Sequence, residues 1–179
     1  TPTPTNLPVW NALTGTTDTG SGVAILDVEV FDANGDRRPD ILFVGTSAGA
    51  ITGFDFQLLT QNRNGTFTDS TADFFDPFDF RTAVPSIEFA PGVEIADLDG
   101  DGDDDLYLLV DFPFGDRIFF REGDRFEVGE REFDVEGVGA TGGDLDGDFS
   151  ADIVSFSQFN IRVFDNGLQG LPRTDDGTV

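Results

Sequence analysis

Three nine-residue stretches carry oxygen-bearing side chains at alternating positions. They are Asp97-Leu-Asp99-Gly-Asp101-Gly-Asp103-Asp-Asp105, Asp32-Ala-Asn34-Gly-Asp36-Arg-Arg-Pro-Asp40 and Asp144-Leu-Asp146-Gly-Asp148-Phe-Ser-Ala-Asp152. Side-chain oxygens at positions 1, 3, 5 and 9 of a tight loop, with a backbone carbonyl at position 7, wrap around one point. Hard cations need that oxygen shell, and Ca²⁺ accepts its irregular geometry better than Mg²⁺ does. The expected side-chain ligands are Asp32, Asn34, Asp36 and Asp40; Asp97, Asp99, Asp101 and Asp105; and Asp144, Asp146, Asp148 and Asp152. Arg38, Asp103 and Ser150 at position 7 are expected to offer backbone oxygens only, giving three Ca²⁺ sites.

Position 4 is glycine in all three loops (Gly35, Gly100, Gly147), where the chain must turn sharply for the side chains to converge. Carboxylates held this close repel one another unless a cation neutralises them or some are protonated. An EF-hand is dismissed, because position 12 is Phe43, Leu108 or Ser155 rather than a bidentate Glu, and no helices flank the loops. Solvated Asp/Gly turns are the plain alternative. Three copies in register, each followed by an Ile or Leu and a β-type run, favour cation binding. The Asp97–Asp105 loop alone has glycine at positions 4 and 6 and is expected to bind most tightly. Without a bidentate Glu, affinities should fall at about 10⁻⁴ to 10⁻³ M, the range of extracellular modules.

Composition narrows the chemistry further. The 179 residues carry a net charge of −25, which argues against nucleic-acid and anionic-membrane partners, since both need a basic surface. All ten basic residues are Arg and there is no Cys, so lysine-, histidine- and cysteine-based catalysis and thiolate metal sites are excluded. No apolar run approaches membrane-spanning length, so no membrane insertion is expected. The Thr1-Pro-Thr-Pro-Thr5 opening has the character of a stiff lead-in, and a secreted or cell-surface location is expected. Twenty Phe residues point to an aromatic, β-type core.

The loops must be held by strands. A strand enters each loop at residues 23–31, 93–96 and 138–143, and a strand leaves it at 41–44, 106–110 and 153–156. A third strand follows at 51–56, 117–120 and 161–164, and a fourth after Asn-Gly or Gly-Asp turns at 65–68 and 124–128, with only a hint at 168–171. The expected fold is all-β: three four-stranded antiparallel units, each the size of a propeller blade. The divisions are an N-terminal arm at 1–20 with Trp10 as its anchor, repeat 1 at 21–70, an insertion at 71–91, repeat 2 at 92–133 and repeat 3 at 134–179. Residues 58–61 are too short a run for a helix, and the Phe-rich stretch 74–80 is broken by Pro77 and repeated Asp.

The Asp-x-Asp/Asn-x-Asp-x-x-x-Asp loops and their strands resemble FG-GAP/VCBS-type repeats, the calcium-binding blades of integrin-alpha propellers and of many bacterial secreted proteins and lectins. Asn64-Gly-Thr-Phe-Thr-Asp69 is similar to the closing strand of such a repeat. The resemblance covers about residues 21 to 179 and implies calcium at the loop residues named above. The family's usual position-6 glycine is present as Gly102 and replaced by Arg37 and Phe149, which puts the turn of those two loops in question.

A propeller needs at least four blades to close, and three are counted here. The sheets are therefore expected to be part of a longer ring, to be completed by oligomerisation, or to stack as an open array. The function expected is that of a non-enzymatic, calcium-stabilised extracellular binding or structural module. It would take a protein or glycan ligand and adhere or self-assemble, as a homo-oligomer or larger assembly, through its blade surfaces and edges. One alternative is a calcium-dependent lectin, with Trp10, Tyr107 and exposed Phe residues as the candidate platform. The other is a glycoside hydrolase using a carboxylate pair drawn from Glu29, Glu88, Glu94, Glu122, Glu127, Glu130, Glu132 or Glu136.

Overall fold

The computed structural model describes residues 13–14, 23–47, 52–75, 92–109, 116–133, 139–156 and 161–164. They form three antiparallel sheets and one helical turn.

The first sheet contains β1 (Leu13–Thr14), β2 (Val23–Phe31), β3 (Asp40–Ser47), β4 (Thr52–Gln61) and β5 (Phe67–Asp69). Its order is β1-β4-β3-β2, and β5 pairs with β4 beyond the stretch that β1 occupies. A single helical turn, α1 (Thr71–Phe74), follows. The second sheet, in order, is β6 (Gly92–Ala96), β7 (Asp105–Leu109), β8 (Asp116–Glu122) and β9 (Arg125–Phe133). The third is β10 (Gly139–Gly143), β11 (Asp152–Phe156) and β12 (Ile161–Phe164).

The expected strand order of each unit is present, with differences at the margins. The run at 58–61 is the end of β4, which extends the third strand of the first unit. The expected strand near Trp10 and the fourth strand at 168–171 lie outside the described residues, whereas residues 13–14 of the arm pair with β4. The insertion does not start as a loop. Ser70 N–H donates to the Leu58 carbonyl at 2.9 Å, α1 follows at once, and Phe74 and Phe75 enter the core. Phe75 stacks on Phe126 with centroids 5.2 Å apart and lies 5.4 Å from Phe56. Two buried rings contribute several kcal/mol together, about 1.5–3 kcal/mol each, which explains why a Pro- and Asp-rich neighbourhood does not keep this segment off the core.

Period-two alternation sends successive side chains to opposite faces, so a strand buried on both sides must lie between two layers. β7 is such a strand, since every one of its residues is buried. Leu106 and Leu108 join a core with Leu42, Val44, Phe56 and Leu58 of the first sheet. Tyr107 and Leu109 join a second core with Ile118 and with Ile153 of the third sheet. The second sheet is therefore the middle layer of a stack. Inside that second core Tyr107 donates its hydroxyl to Asp116 at 2.7 Å.

Carboxylates on the strands that enter the loops tie the layers together. Asp27 on β2 accepts from Val93 N–H of β6 at 3.0 Å, and Glu94 on β6 accepts from Gly142 N–H of β10 at 2.9 Å. Such edge groups would otherwise lack partners within a sheet. Each first hairpin (β2–β3, β6–β7 and β10–β11) closes over one acidic loop, so the layers set the three loops side by side.

Candidate metal centre

The three loops share one hydrogen-bond scheme. The position-1 carboxylate gathers amides from across the turn: Asp32 accepts from the amides of Asp36 (3.0 Å) and Arg37 (2.6 Å), and Asp97 from those of Gly100 (2.8 Å) and Gly102 (3.0 Å). Asp144 accepts from Gly147 at 2.6 Å and from Asp148 and Phe149, both at 3.2 Å. A relay of Asx turns continues the curl, with the position-3 oxygen taking the position-5 amide and the position-5 oxygen taking the position-7 amide. The pairs are Asn34–Asp36 and Asp36–Arg38, then Asp99–Asp101 and Asp101–Asp103, then Asp146–Asp148 and Asp148–Ser150, all between 2.9 and 3.1 Å.

Position 6 needs a left-handed backbone. Gly102 has φ 95°, and Arg37 (φ 65°) and Phe149 (φ 75°) take the same conformation. The two loops without glycine at position 6 therefore turn the same way as the one that has it, at a cost of about 1–2 kcal/mol each for a side chain in that region.

Position 9 is different in kind. Asp40, Asp105 and Asp152 are buried. Asp105 accepts from Leu98 N–H at 2.8 Å and from Arg121 N–H at 2.7 Å, joining loop to β8. Asp40 accepts from Ala33 at 3.1 Å and Gln61 at 2.8 Å, and Asp152 from Leu145 at 2.8 Å. This carboxylate is first a staple between the loop's second residue and the neighbouring strands. Burial pushes the Asp105 carboxyl up to about 7, its two amide donors oppose the shift, and Asp99 and Asp101 add to it. Burial likewise raises Asp40, Asp99 and Asp104. Asp148 moves the other way, held low by the amide and hydroxyl of Ser150.

Two loops bring carboxylates together. Asp97, Asp99 and Asp105 offer oxygens all within 4.8 Å of one another, and so do Asp144, Asp146 and Asp152. Asp101 and Asp148 are bound into the same loops by the relay described above. In the third-sheet loop, Asp148 Oδ2 is shut off from solvent with no hydrogen-bond partner, as an oxygen set to meet a cation would be. An all-oxygen donor set of this kind fits a hard divalent ion.

The first loop is built otherwise. Asn34 replaces a carboxylate at position 3, and the Arg38 guanidinium pairs with Asp36 while its Nε donates to the Gln61 carbonyl at 2.8 Å. The position-7 side chains thus have roles that the backbone-only expectation missed: Arg38 neutralises its own loop, and Ser150 donates its hydroxyl to Asp148 at 2.7 Å. Asp103 pairs with Arg121 at 3.2 Å. The buried Arg121 side chain also lies against Gly35, so it stands between the first and second loops. The second and third loops touch directly through Ala151 N–H and the Asp97 carbonyl at 2.8 Å.

Of the proposed lectin platform, Tyr107 is fully buried and cannot serve, while Trp10 lies outside the described residues. Of the candidate carboxylate pair, Glu94 is taken up as a backbone acceptor. Burial raises Glu29, with Asp27 and Glu94 adding to the shift, and Glu88 and Glu136 lie outside the described residues.

The structure defines an all-β repeat protein in which each first hairpin closes over an acidic loop. Residues 32–108, from the start of the first loop to the strand leaving the second, match the FG-GAP-like repeat family. No curated protein and no solved structure matches the chain. Among the described residues no helix is long and apolar enough to cross a membrane.

Proposed function

We propose that the protein is a non-enzymatic, calcium-stabilised extracellular module for binding or structure, with Ca²⁺ held by the loops at 97–105 and 144–152. The observation that carries this reading is the pair of three-carboxylate clusters, each held in shape by its own amides, with Asp148 Oδ2 of the third loop also buried and without a hydrogen-bond partner. Asp97, Asp99, Asp101 and Asp105, and Asp144, Asp146, Asp148 and Asp152, would supply the oxygens. The ion would cancel the repulsion among them and lock each hairpin to the next sheet. The FG-GAP-like match supports a binding role over a catalytic one. Its ligand, protein or glycan, would meet the loop-bearing end or the sheet surfaces.

In the loop at 32–40 Arg38 takes over part of the cation's role. Calcium titration by calorimetry should therefore saturate near two ions per chain, and Arg38→Ala should raise the stoichiometry toward three. EDTA should lower the melting temperature. Unchanged melting in EDTA at low ionic strength would remove the calcium reading.

A further inference from the structure

The two ends of the sheet stack are counterparts of each other. Counting from the position-9 aspartates, the second and fourth residues are Leu42 and Val44 in the first sheet, Tyr107 and Leu109 in the second, and Val154 and Phe156 in the third. In the first two sheets these positions are buried against the next layer. Among the described residues no layer covers this face of the third sheet: Phe156 is exposed, as are the cross-strand partners Val163 and Ile161, the latter at 70 %. The partners at the matching register positions in the other two sheets, Phe56, Leu58 and Ile118, are buried. Sheet three therefore carries the same apolar face that sheets one and two use to hold a neighbour.

The opposite end repeats the argument with the other face. Val93 and Ile95, paired with Leu108 and Leu106, form the side of sheet two that packs on sheet one. Their counterparts in sheet one are Val28 and Val30, the latter paired with Ile41. Val28 and Val30 are exposed, Val30 at 61 %. One end of the described stack thus presents the kind of surface that the other end is built to cover, and both internal junctions show how the two fit. The three described sheets of each of two chains would give six, within the four to eight that close a propeller ring.

We propose that two copies of this chain associate head to tail, the Val28/Val30 face of each packing on the Phe156/Ile161/Val163 face of the other, to close a six-sheet ring. The association is heterologous at each junction and closes by two-fold rotation. It uses sheet faces, not strand edges, and does not depend on calcium in the loops.

Light scattering coupled to size exclusion, on the 179-residue chain in moderate salt that screens its charge of −25, should give twice the 19.3 kDa chain mass. Val30→Lys and Ile161→Lys each place a charge on one of the two faces while lowering the net negative charge, so loss of association would not reflect added repulsion. Each should raise the dimer dissociation constant at least ~10-fold, because an unpaired charge must be buried at the junction. Their circular dichroism should stay unchanged, since both positions are solvent-exposed in the single chain. An equimolar mixture of the two variants regains one unmodified junction and should recover part of the dimer. A strict monomer, a ladder of masses above two, a dimer indifferent to either substitution, or a mixture no better than either variant alone would overturn the proposal.

Discussion

Replacing Asp105 should separate the loop's scaffold from its ion site. Its two oxygens hold the amides of Leu98 and Arg121 at 2.8 and 2.7 Å, and the residue is completely buried. Asp105→Asn keeps one acceptor and turns an NH₂ toward the other donor, leaving one buried N–H unsatisfied at about 1–3 kcal/mol. Asp105→Ala leaves both, at about 2–6 kcal/mol. Asp101 is exposed and accepts one amide within the loop, from Asp103 at 2.9 Å, so Asp101→Asn should cost well under about 1 kcal/mol without metal. The assay is urea unfolding of wild type and the three variants, in EDTA and in millimolar calcium. The Asp105 variants should lose stability in both media. Asp101→Asn should match wild type in EDTA and lose only the increment that calcium adds. An Asp105→Asn variant as stable as wild type in EDTA near pH 4, where the loss of a buried charge no longer offsets the lost hydrogen bond, would refute the staple, and with it the claim that position 9 serves the fold before the ion.

Phe149 is exposed and sits at φ 75°, so Phe149→Gly removes backbone strain without removing packing. It should stabilise by up to about 1 kcal/mol after glycine's entropy cost, or about 2–4 °C in Tm by calorimetry; a lower Tm would contradict the strain. The calcium-free protein should also gain stability as pH falls from 7.5 toward 5. A carboxyl raised from 3.8 to about 7 on folding holds a proton in that window that the unfolded chain has lost, and Asp105 is such a group. Urea midpoints that rise with pH in EDTA would reverse the sign, and saturating calcium should flatten the trend because the ion competes with the proton.

The alternation of acidic residues was enough to read the loops, and the apolar runs beside them were enough to read the strands. Both signals are local, and three copies in one register reinforce each other. What sequence left dark depends on distance. Arg121 lies more than eighty residues from Gly35, yet its guanidinium rests against that glycine and pairs with Asp103. A basic residue near the end of a strand gave no sign of that position. The same holds for Phe74 and Phe75: a four-residue helix has no apolar stripe to detect, and burial against Phe126 decides its fate. Position 9 was legible as a carboxylate but not as a staple, because spacing cannot tell an oxygen that faces an ion from one that faces an amide.

The contrast among the loops then has a physical reading. Their backbones are nearly interchangeable, since Arg37 and Phe149 accept the strain that Gly102 avoids so that the same amides reach the same carboxylates. Their charges are not. One loop carries its own cation on Arg38, one shares Arg121 with its neighbour through Asp103, and the third has Ser150 at position 7 and a buried oxygen with no partner. Geometry is held constant while neutralisation passes from a side chain toward a bound ion. By that ordering the loop at 144–152 should depend most on calcium, and the glycine-rich loop at 97–105, expected from its turn residues to bind most tightly, should depend on it less because Arg121 already supplies part of the positive charge.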